Sequence, residues 1–313
     1  VFDSGLGGLT VLNAIKKIIP NENIVYVGDT ARVPYGNKST PLIVQYASQI
    51  TKFLLEKDAK LIIVACNTVS ALAISNLQND FDIPIIGVIA PGANSAVKLT
   101  KNNNVGVIGT IATISSNAYQ DELNKINPSI NTLSQACPLF VPLVEEGLLE
   151  GPIVSAIVKH YLKNLDLSMI DTLILGCTHY PLLKPVIKEH TNNLILIDSA
   201  DSLAKEVHLI LKNNHMINNN TNTYEDYELL GEDESSSINL DENGSLNSFP
   251  QQNIIKNIKY EKHIVDAVLE IIEESVPNKL NHQENFIEPM NDVFISRNNL
   301  NFFENIDKAF KYF

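Results

Sequence analysis

Two segments of the sequence indicate the fold most clearly: Leu61-Ile-Ile-Val-Ala-Cys66-Asn67-Thr68 and Leu173-Ile-Leu-Gly-Cys177-Thr178-His179. Each begins with a continuous apolar run, as a parallel strand buried on both faces requires. Each then places a cysteine and polar side chains where a helix would begin. Ligands bind at the carboxyl ends of strands in open α/β sheets. The two strand ends therefore predict two similar domains that face one cleft.

Four more short apolar runs alternate with longer segments of helical period: Ile24–Val27, Ile85–Ile89, Val105–Ile108 and Leu194–Ile197. This alternation is typical of parallel strands joined by helical crossovers. We expect an α/β fold with two doubly wound domains and mainly parallel sheets, which share an active-site cleft. The first domain is predicted to comprise residues 1–94 and about 206–313, and the second residues 95–205.

Composition excludes several classes of protein. The chain has 313 residues and a formal charge of −13, which argues against a general nucleic-acid surface. Its three cysteines are too few and too far apart to predict a disulfide framework, so a reducing compartment, the cytoplasm, is expected. No apolar run approaches the roughly 20 residues of a membrane span.

We also expect a few residues to precede Val1, since Val-Phe-Asp resembles the end of a strand.

Residues 215–257 form a segment of different composition, rich in Asn, Ser, Asp and Glu. The segment has eight acidic residues and one basic residue, Lys256. Such a sequence cannot bury enough apolar surface to offset the entropy of ordering, and we expect a passive mobile insertion. A partner-binding role is the alternative. After it, Tyr260–Val276 has the apolar spacing of a helix that packs on the body of the protein.

The stretch Asp3-Ser4-Gly5-Leu6-Gly7-Gly8-Leu9-Thr10 predicts a strand end, a glycine turn and a helix start. Backbone amides at such a helix start are able to hold an anion. A dinucleotide site is the competing interpretation, with Asp29 as the acid for the ribose. It is disfavoured because Thr10 replaces the third glycine and an acid precedes the turn.

The cysteines have both a packing and a chemical interpretation. Free cysteine is often simply buried, and Cys137 is expected to be structural. Cys66 and Cys177 both follow predicted strands, where a helix N-terminus would lower the thiol pKa and favour the thiolate. This coincidence favours a catalytic role for both.

Other polar residues near these stretches are more ambiguous. His179 follows Cys177 by two residues, which is a weak zinc signal and suits an acid/base or orienting role better. Glu145 and Glu146 follow the apolar segment Leu139–Val144, where the simple interpretation is a solvated helix start. By spacing alone, Asp29–Gly36 is only a loop that contains the hydroxyl of Tyr35.

Taken together, these segments resemble the glutamate racemase family. The matching stretches are VFDSGLGGLTVL, VGDTARVPYGNKS, VACNTVSALA, PIIGVIAPGANSA, VGVIGTIATISSNAYQ, CPLFVPLVEEG, LILGCTHYPLL and IDSA, in this order and within about residues 1–200. The final segment, FISRNNLNFFENIDKAFKYF, resembles the family only weakly. The acidic insertion is longer than the family usually has there, and the resemblance implies nothing about it.

The resemblance implies that two domains close over glutamate, with Cys66 and Cys177 on opposite faces of its α-carbon. Asp3 would assist Cys66, and Glu145 with His179 would assist Cys177; Glu146 is the alternative to Glu145. The residues implied to hold the substrate are Asp3, Ser4, Pro34, Tyr35, Gly36, Asn67, Thr68, Thr110, Thr113, Thr178 and His179. The resemblance further implies a homodimer that supplies D-glutamate for the cell wall. Because neither a pyridoxal phosphate lysine nor a metal cluster stands out in the sequence, we expect no cofactor and no metal.

Three rival functions remain for comparison. Racemases of aspartate or hydantoins, and related isomerases, share the paired-cysteine architecture. A binding protein that has lost turnover would bind glutamate without exchanging its α-hydrogen. Hydride transfer with a nicotinamide cofactor would need a cofactor-dependent absorbance change, and it ranks last.

Overall fold

A computed structural model describes residues 1–191 and 193–218 of the chain. Residues 219–257 of the predicted insertion and the helix predicted over Tyr260–Val276 lie outside the described residues.

The first residues of that insertion form hydrogen bonds with the rest of the protein. The backbone N–H of Asn218 donates to Glu22 Oε1 at 2.6 Å, and Lys60 Nζ donates to the carbonyl of Met216.

Two parallel four-stranded sheets form the framework. The first contains β1 (Phe2–Asp3), β2 (Val27–Gly28), β3 (Ile62–Val64) and β4 (Ile85–Gly87), in the order β2-β1-β3-β4. The second contains β5 (Asn104–Gly109), β6 (Asn131–Ala136), β7 (Thr172–Gly176) and β8 (Ile195–Asp198), in the order β6-β5-β7-β8. The orders are equivalent, so β3 and β7 occupy the same place in their sheets.

Helices connect the strands and cover both faces of each sheet. They are α1 (Leu9–Ile18), α2 (Thr40–Glu56), α3 (Asn67–Leu72), α4 (Ile74–Asp80), α5 (Ile89–Leu99), α6 (Ile111–Ser115), α7 (Ala118–Ile126), α8 (Phe140–Glu145), α9 (Pro152–Leu162), α10 (Lys184–Glu189) and α11 (Ser199–Asn213). In the first sheet, α1 and α11 pack on one face and α2 on the other. In the second, α5 and α7 cover one face and α8 and α9 the other.

This arrangement confirms the predicted α/β class with two parallel sheets. Burial on both faces explains why the strands appear in the sequence as continuous apolar runs. The helix α5 begins at Ile89, so the run predicted as Ile85–Ile89 ends as a strand at Gly87. Domain boundaries at 94/95 and 205/206 stay a prediction. Among the residues that the structure describes, no helix combines the length and apolar composition needed to cross a bilayer.

Candidate active site

Cys66 and Cys177 occupy equivalent positions in the two sheets. Cys66 follows β3 by two residues and precedes α3, and Cys177 follows β7 directly. Both are buried, with 5% and 6% of their surface exposed. The predicted helix start is found at Cys66 only, because Cys177 leads through a turn into the short 3-10 helix Tyr180–Leu183. Two strand ends therefore present two thiols, as the sequence predicts.

Asp3 and Ser4 lie beside Cys66. The Cys66 thiol donates to Ser4 Oγ at 3.6 Å. Asp3 is fully buried at the end of β1, and its carboxylate accepts the backbone N–H of Gly5 at 3.0 Å. Burial raises the pKa of Asp3 to about 6, against the charge of His179 and the backbone hydrogen bonds from Gly5 and Gly8. The turn amides predicted to hold an anion are thus used by the protein's own carboxylate.

The pKa of Cys66 contradicts the expectation from the helix start. Burial, together with the charge of Asp3, raises the pKa of the Cys66 thiol to about 12. The hydrogen bonds of Cys66 with the backbone of Val69 and with the side chain of Ser4 lower this pKa, but by less. The helix α3 has only six residues, and desolvation of a buried sulfur outweighs its dipole. Cys66 is therefore a neutral thiol, and the pKa of the neighbouring Asp3 is much lower than its own.

His179 and Glu145 lie beside Cys177. His179 Nδ1 is 3.8 Å from Cys177 Sγ, and His179 Nε2 is 2.6 Å from Glu145 Oε1. Burial lowers the pKa of His179, but the hydrogen bonds and charges of Cys177 and Glu145 outweigh it and hold the pKa well above its usual value. An imidazolium is thus the favoured form, and it links the carboxylate to the sulfur.

Glu145 is the last residue of α8. The simple interpretation of its position, a solvated helix start, is therefore wrong. The apolar segment before it is the helix itself, and Phe140, Leu143 and Val144 are its buried residues. The last turn points Glu145 towards His179. Glu146 caps the helix instead. The geometry therefore favours Glu145 over Glu146 as the partner of His179.

The glycine turn of the first sheet packs against the second cysteine motif. Thr178 Oγ1 lies 3.5 Å from Asp3 Oδ1, and Thr10 Oγ1 donates to the carbonyl of Thr178 at 3.3 Å. A Cβ at Gly7 would lie 2.5 Å from Thr178 Oγ1 and 2.6 Å from the ring of His179. Only glycine permits this approach, which brings the groups around both thiols together.

Three threonine hydroxyls form a buried cluster. Thr68 Oγ1 lies 3.0 Å from Thr110 Oγ1, which is also 3.0 Å from Thr113 Oγ1. Thr110 caps α6 by accepting the backbone N–H of Thr113. Gly36 lies against this cluster, since a Cβ there would be 3.0 Å from Thr110 Cβ. Residues predicted from three separate motifs thus meet at one place.

The loop that carries Pro34 and Tyr35 is held by Asp29. The Tyr35 hydroxyl donates to the Asp29 carboxylate. Arg32 forms an ion pair with Asp29 at 2.8 Å and lies over the ring of Tyr46, 4.2 Å from its centroid. Asp29 therefore anchors a loop of its own domain. This arrangement argues against its use as the ribose acid of a dinucleotide site.

Tyr119 is a residue near the site that the sequence analysis does not identify. The Tyr119 hydroxyl donates to Asn67 Oδ1 at 2.7 Å. Tyr119 lies on α7 and is 3% exposed. Its position within the segment SSNAYQ gives no signal, because a tyrosine on an amphipathic helix ordinarily belongs to the core.

Cys137 differs from the other two cysteines. It is fully buried in the core of the second sheet, and its thiol is 3.7 Å from the carbonyl of Gln135. This packing fits the structural role predicted for it. Within residues 1–191 and 193–218, no group of three or more His, Cys, Asp or Glu side chains is arranged to hold a metal ion.

Comparison with known proteins agrees with this geometry. The family model described as Asp/Glu/Hydantoin racemase matches residues 9–207. The glutamate racemase of Aquifex aeolicus is 50% identical over 213 residues, which cover 68% of this chain and 83% of the relative.

Solved structures give the same result. The glutamate racemase isoform RacE1 from Bacillus anthracis superposes with a TM-score of 0.72 at 40% identity, over 74% of this chain and 87% of that one. The glutamate racemase from Francisella tularensis, solved in complex with D-glutamate, superposes with a TM-score of 0.70 at 42% identity, over the same shares. The chain therefore belongs to the Asp/Glu/Hydantoin racemase family and is an isomerase, an amino-acid racemase whose relatives include glutamate racemases.

Proposed function

We propose that the chain interconverts L- and D-glutamate by proton transfer between Cys66 and Cys177, without a cofactor. The observation that carries the proposal is the equivalence of the two thiols. Each follows the same strand of its sheet, and each has a different acid/base system beside it. Two opposed proton-transfer groups are what inversion of a tetrahedral carbon requires, since a single base returns the proton to the face it left.

The proton transfers balance as follows. One cysteine, as thiolate, removes the α-proton and becomes a thiol. The other, as thiol, delivers a proton to the opposite face and becomes a thiolate. The reverse reaction exchanges the two roles, so each cysteine removes the α-proton of one enantiomer and delivers the proton that forms that same enantiomer.

The neighbouring groups reset the two thiols. Asp3, with a pKa of about 6, exchanges a proton with Cys66: it takes the thiol proton transiently when Cys66 acts as the base, since a pKa of about 12 disfavours the free thiolate, and it returns a proton after Cys66 has acted as the acid. His179, held as an imidazolium by Glu145, returns a proton to Cys177. Buried groups with strongly shifted pKa values beside a nucleophile are typical of catalytic sites.

The polar cage around the thiols is proposed to bind the substrate. An α-proton is very weakly acidic, so the carbanion-like transition state needs preorganised donors in a site closed to water. Burial of the three-threonine cluster and of Asn67 supports this role. The proposed substrate-binding residues are Asp3, Ser4, Pro34, Tyr35, Gly36, Asn67, Thr68, Thr110, Thr113, Thr178 and His179.

Glutamate is preferred over aspartate as the substrate for two reasons. The relatives that are about half identical to the chain are glutamate racemases, and one of similar fold is solved with D-glutamate. The DSGLGGL and PYGNKS segments favour glutamate by resemblance, and they contain four of the proposed substrate-binding residues, Asp3, Ser4, Tyr35 and Gly36.

We further propose that the product serves peptidoglycan synthesis, that the enzyme acts in the cytoplasm, and that it forms a homodimer. The three free cysteines suit a reducing compartment. The cell-wall role and the dimer are supported by the family resemblance alone. Light scattering on the purified chain tests the dimer, and complementation of a D-glutamate auxotroph tests the cell-wall role.

Chiral chromatography of L- and D-glutamate incubated with the purified chain tests the proposed function. The expected result is conversion of either enantiomer to the racemate without added cofactor. Cys66→Ser and Cys177→Ser are each expected to reduce kcat by at least roughly 100-fold, the lower end of general acid/base catalysis. Cys137→Ser is the matched control and keeps its activity. Turnover of aspartate but not glutamate would overturn the choice of substrate.

A further inference from the structure

Tyr119 connects the two cysteine motifs. Its hydroxyl, on the second-sheet helix α7, donates to Asn67, the residue that follows Cys66 in the first-sheet motif. The edge of its ring faces Gly176, the residue before Cys177, where an added Cβ would lie 3.1 Å from Tyr119 Cε2. One buried side chain therefore touches the neighbours of both thiols.

The Tyr119 hydroxyl has partners on both sides. It forms a hydrogen bond with the side chain of Ser199, at the start of α11, in addition to the one it donates to Asn67 Oδ1 at 2.7 Å. A phenol has one proton to donate and lone pairs to accept with. With its proton committed to Asn67, the oxygen is left to accept from Ser199. This arrangement keeps the carboxamide oxygen of Asn67 towards Tyr119 and its NH₂ group away from it.

The other end of the same carboxamide has no partner. Asn67 is 2% exposed, and its Nδ2 makes no hydrogen bond within the part of the chain that the structure describes. Buried amide donors are almost always satisfied, and one that is not is costly. Nδ2 carries only donors. The group that satisfies it must therefore be an acceptor, and the acceptors on an amino-acid substrate are its carboxylates.

We propose that Tyr119 is a positioning residue: it holds the Asn67 carboxamide with its NH₂ group directed to a carboxylate of the substrate. The inference rests on the proposed function, since it assigns the acceptor to glutamate. Tyr119 itself does not touch the substrate. It acts by preventing rotation of the carboxamide, which would present the oxygen to the carboxylate and replace an attraction by a repulsion.

The test is Tyr119→Phe, which removes the hydroxyl and keeps the ring against Gly176. KM for glutamate is expected to rise on the order of tenfold, with kcat changed less than about threefold, because the loss of one charge-assisted hydrogen bond acts on binding. Tyr161→Phe is the matched control. It removes a buried hydroxyl that accepts the backbone N–H of Leu139, away from Asn67, so KM stays at the wild-type value.

A double-mutant cycle separates positioning from a general structural effect. In an Asn67→Ala background there is no carboxamide to orient, so Tyr119→Phe should cause no further rise in KM. Equal effects of Tyr119→Phe in both backgrounds, or a loss of thermal stability with unchanged KM, would overturn the proposal.

Gly92→Ala provides a second variant that keeps every hydroxyl. The added methyl would lie 3.3 Å from Tyr119 Cε1 and 3.5 Å from its oxygen, which displaces the phenol slightly. A smaller rise in KM, about threefold, is expected. Wild-type turnover is measured in the same assay. If the wild type does not racemise glutamate, the proposed function fails with the inference; if it does and neither variant changes KM, only the role of Tyr119 fails.

Discussion

Replacement of Asp3 by Asn tests the electrostatics of the site. Asp3 is buried and its folded-state pKa is raised from 3.8 to about 6. Between these values the folded protein keeps a proton that the unfolded chain has lost. The contribution of Asp3 to stability is therefore fully present below pH 3.8 and is lost as the pH rises through about 6.

The size of the effect follows from the difference between the two pKa values. A difference of about two units corresponds to a total loss of about 3 kcal/mol, and roughly half of it falls between pH 5 and pH 7. Asn at this position does not titrate, and its Oδ1 is still able to accept the backbone N–H of Gly5. The free energy of unfolding of Asp3→Asn, relative to wild type, should thus increase by about 1.5 kcal/mol between these pH values.

Urea unfolding followed by circular dichroism at pH 5, 6 and 7 measures this difference. Asp171→Asn serves as the control. Hydrogen bonds from Thr100, Lys101, Thr172 and Asn102 outweigh desolvation at Asp171 and lower its pKa, so its replacement adds no pH dependence in this range. If the Asp3→Asn and wild-type stabilities run parallel from pH 5 to pH 7, the burial argument for Asp3 is refuted.

Three other substitutions, one of them with a matched control, test the geometry. Gly7→Ala would place a methyl 2.6 Å from the ring of His179, and the resulting displacement should reduce kcat/KM on the order of 100-fold while circular dichroism shows a folded protein. Glu145→Gln removes the carboxylate that holds His179 as an imidazolium and should lower kcat roughly 100-fold, whereas Glu146→Gln leaves it near the wild-type value; equal losses would refute the assignment. Arg32→Met removes an ion pair that anchors the loop of Pro34 and Tyr35, so KM should rise about tenfold, and an unchanged KM would show that the loop keeps its place without it.

The sequence predicted the sheets best where burial is two-sided. The apolar runs before Cys66 and Cys177 correspond to β3 and β7, which are buried throughout. The strand β6 was missed because Asn131–Ala136 lies at the edge of its sheet with a partly exposed, polar sequence, Asn-Thr-Leu-Ser-Gln-Ala. Continuous hydrophobicity identifies central parallel strands, and an edge strand has no need of it.

The sequence predicts which residues form the candidate site better than it predicts their pKa values. Residue patterns and the family resemblance identified the two thiols and their neighbours, which the fold brings together. The pKa of Cys66 was expected to fall but rises, because desolvation depends on neighbours distant in sequence. Tyr119 was missed for the same reason, since its partner Asn67 lies 52 residues away along the chain. Long-range contacts of single polar atoms leave no periodic signal.

Solvent-deuterium incorporation during the first few per cent of conversion of L-glutamate in D₂O distinguishes a two-cysteine mechanism from a single base. Proton NMR and mass spectrometry together follow the α-position in both enantiomers. With two cysteines, D-glutamate is expected to form with deuterium at the α-carbon while the remaining L-glutamate keeps its protium, because one thiol removes the proton and the other delivers one from solvent. Deuterium appearing in L-glutamate as fast as D-glutamate forms, or D-glutamate that retains the original protium, would indicate a single base and rule out proton transfer between two cysteines.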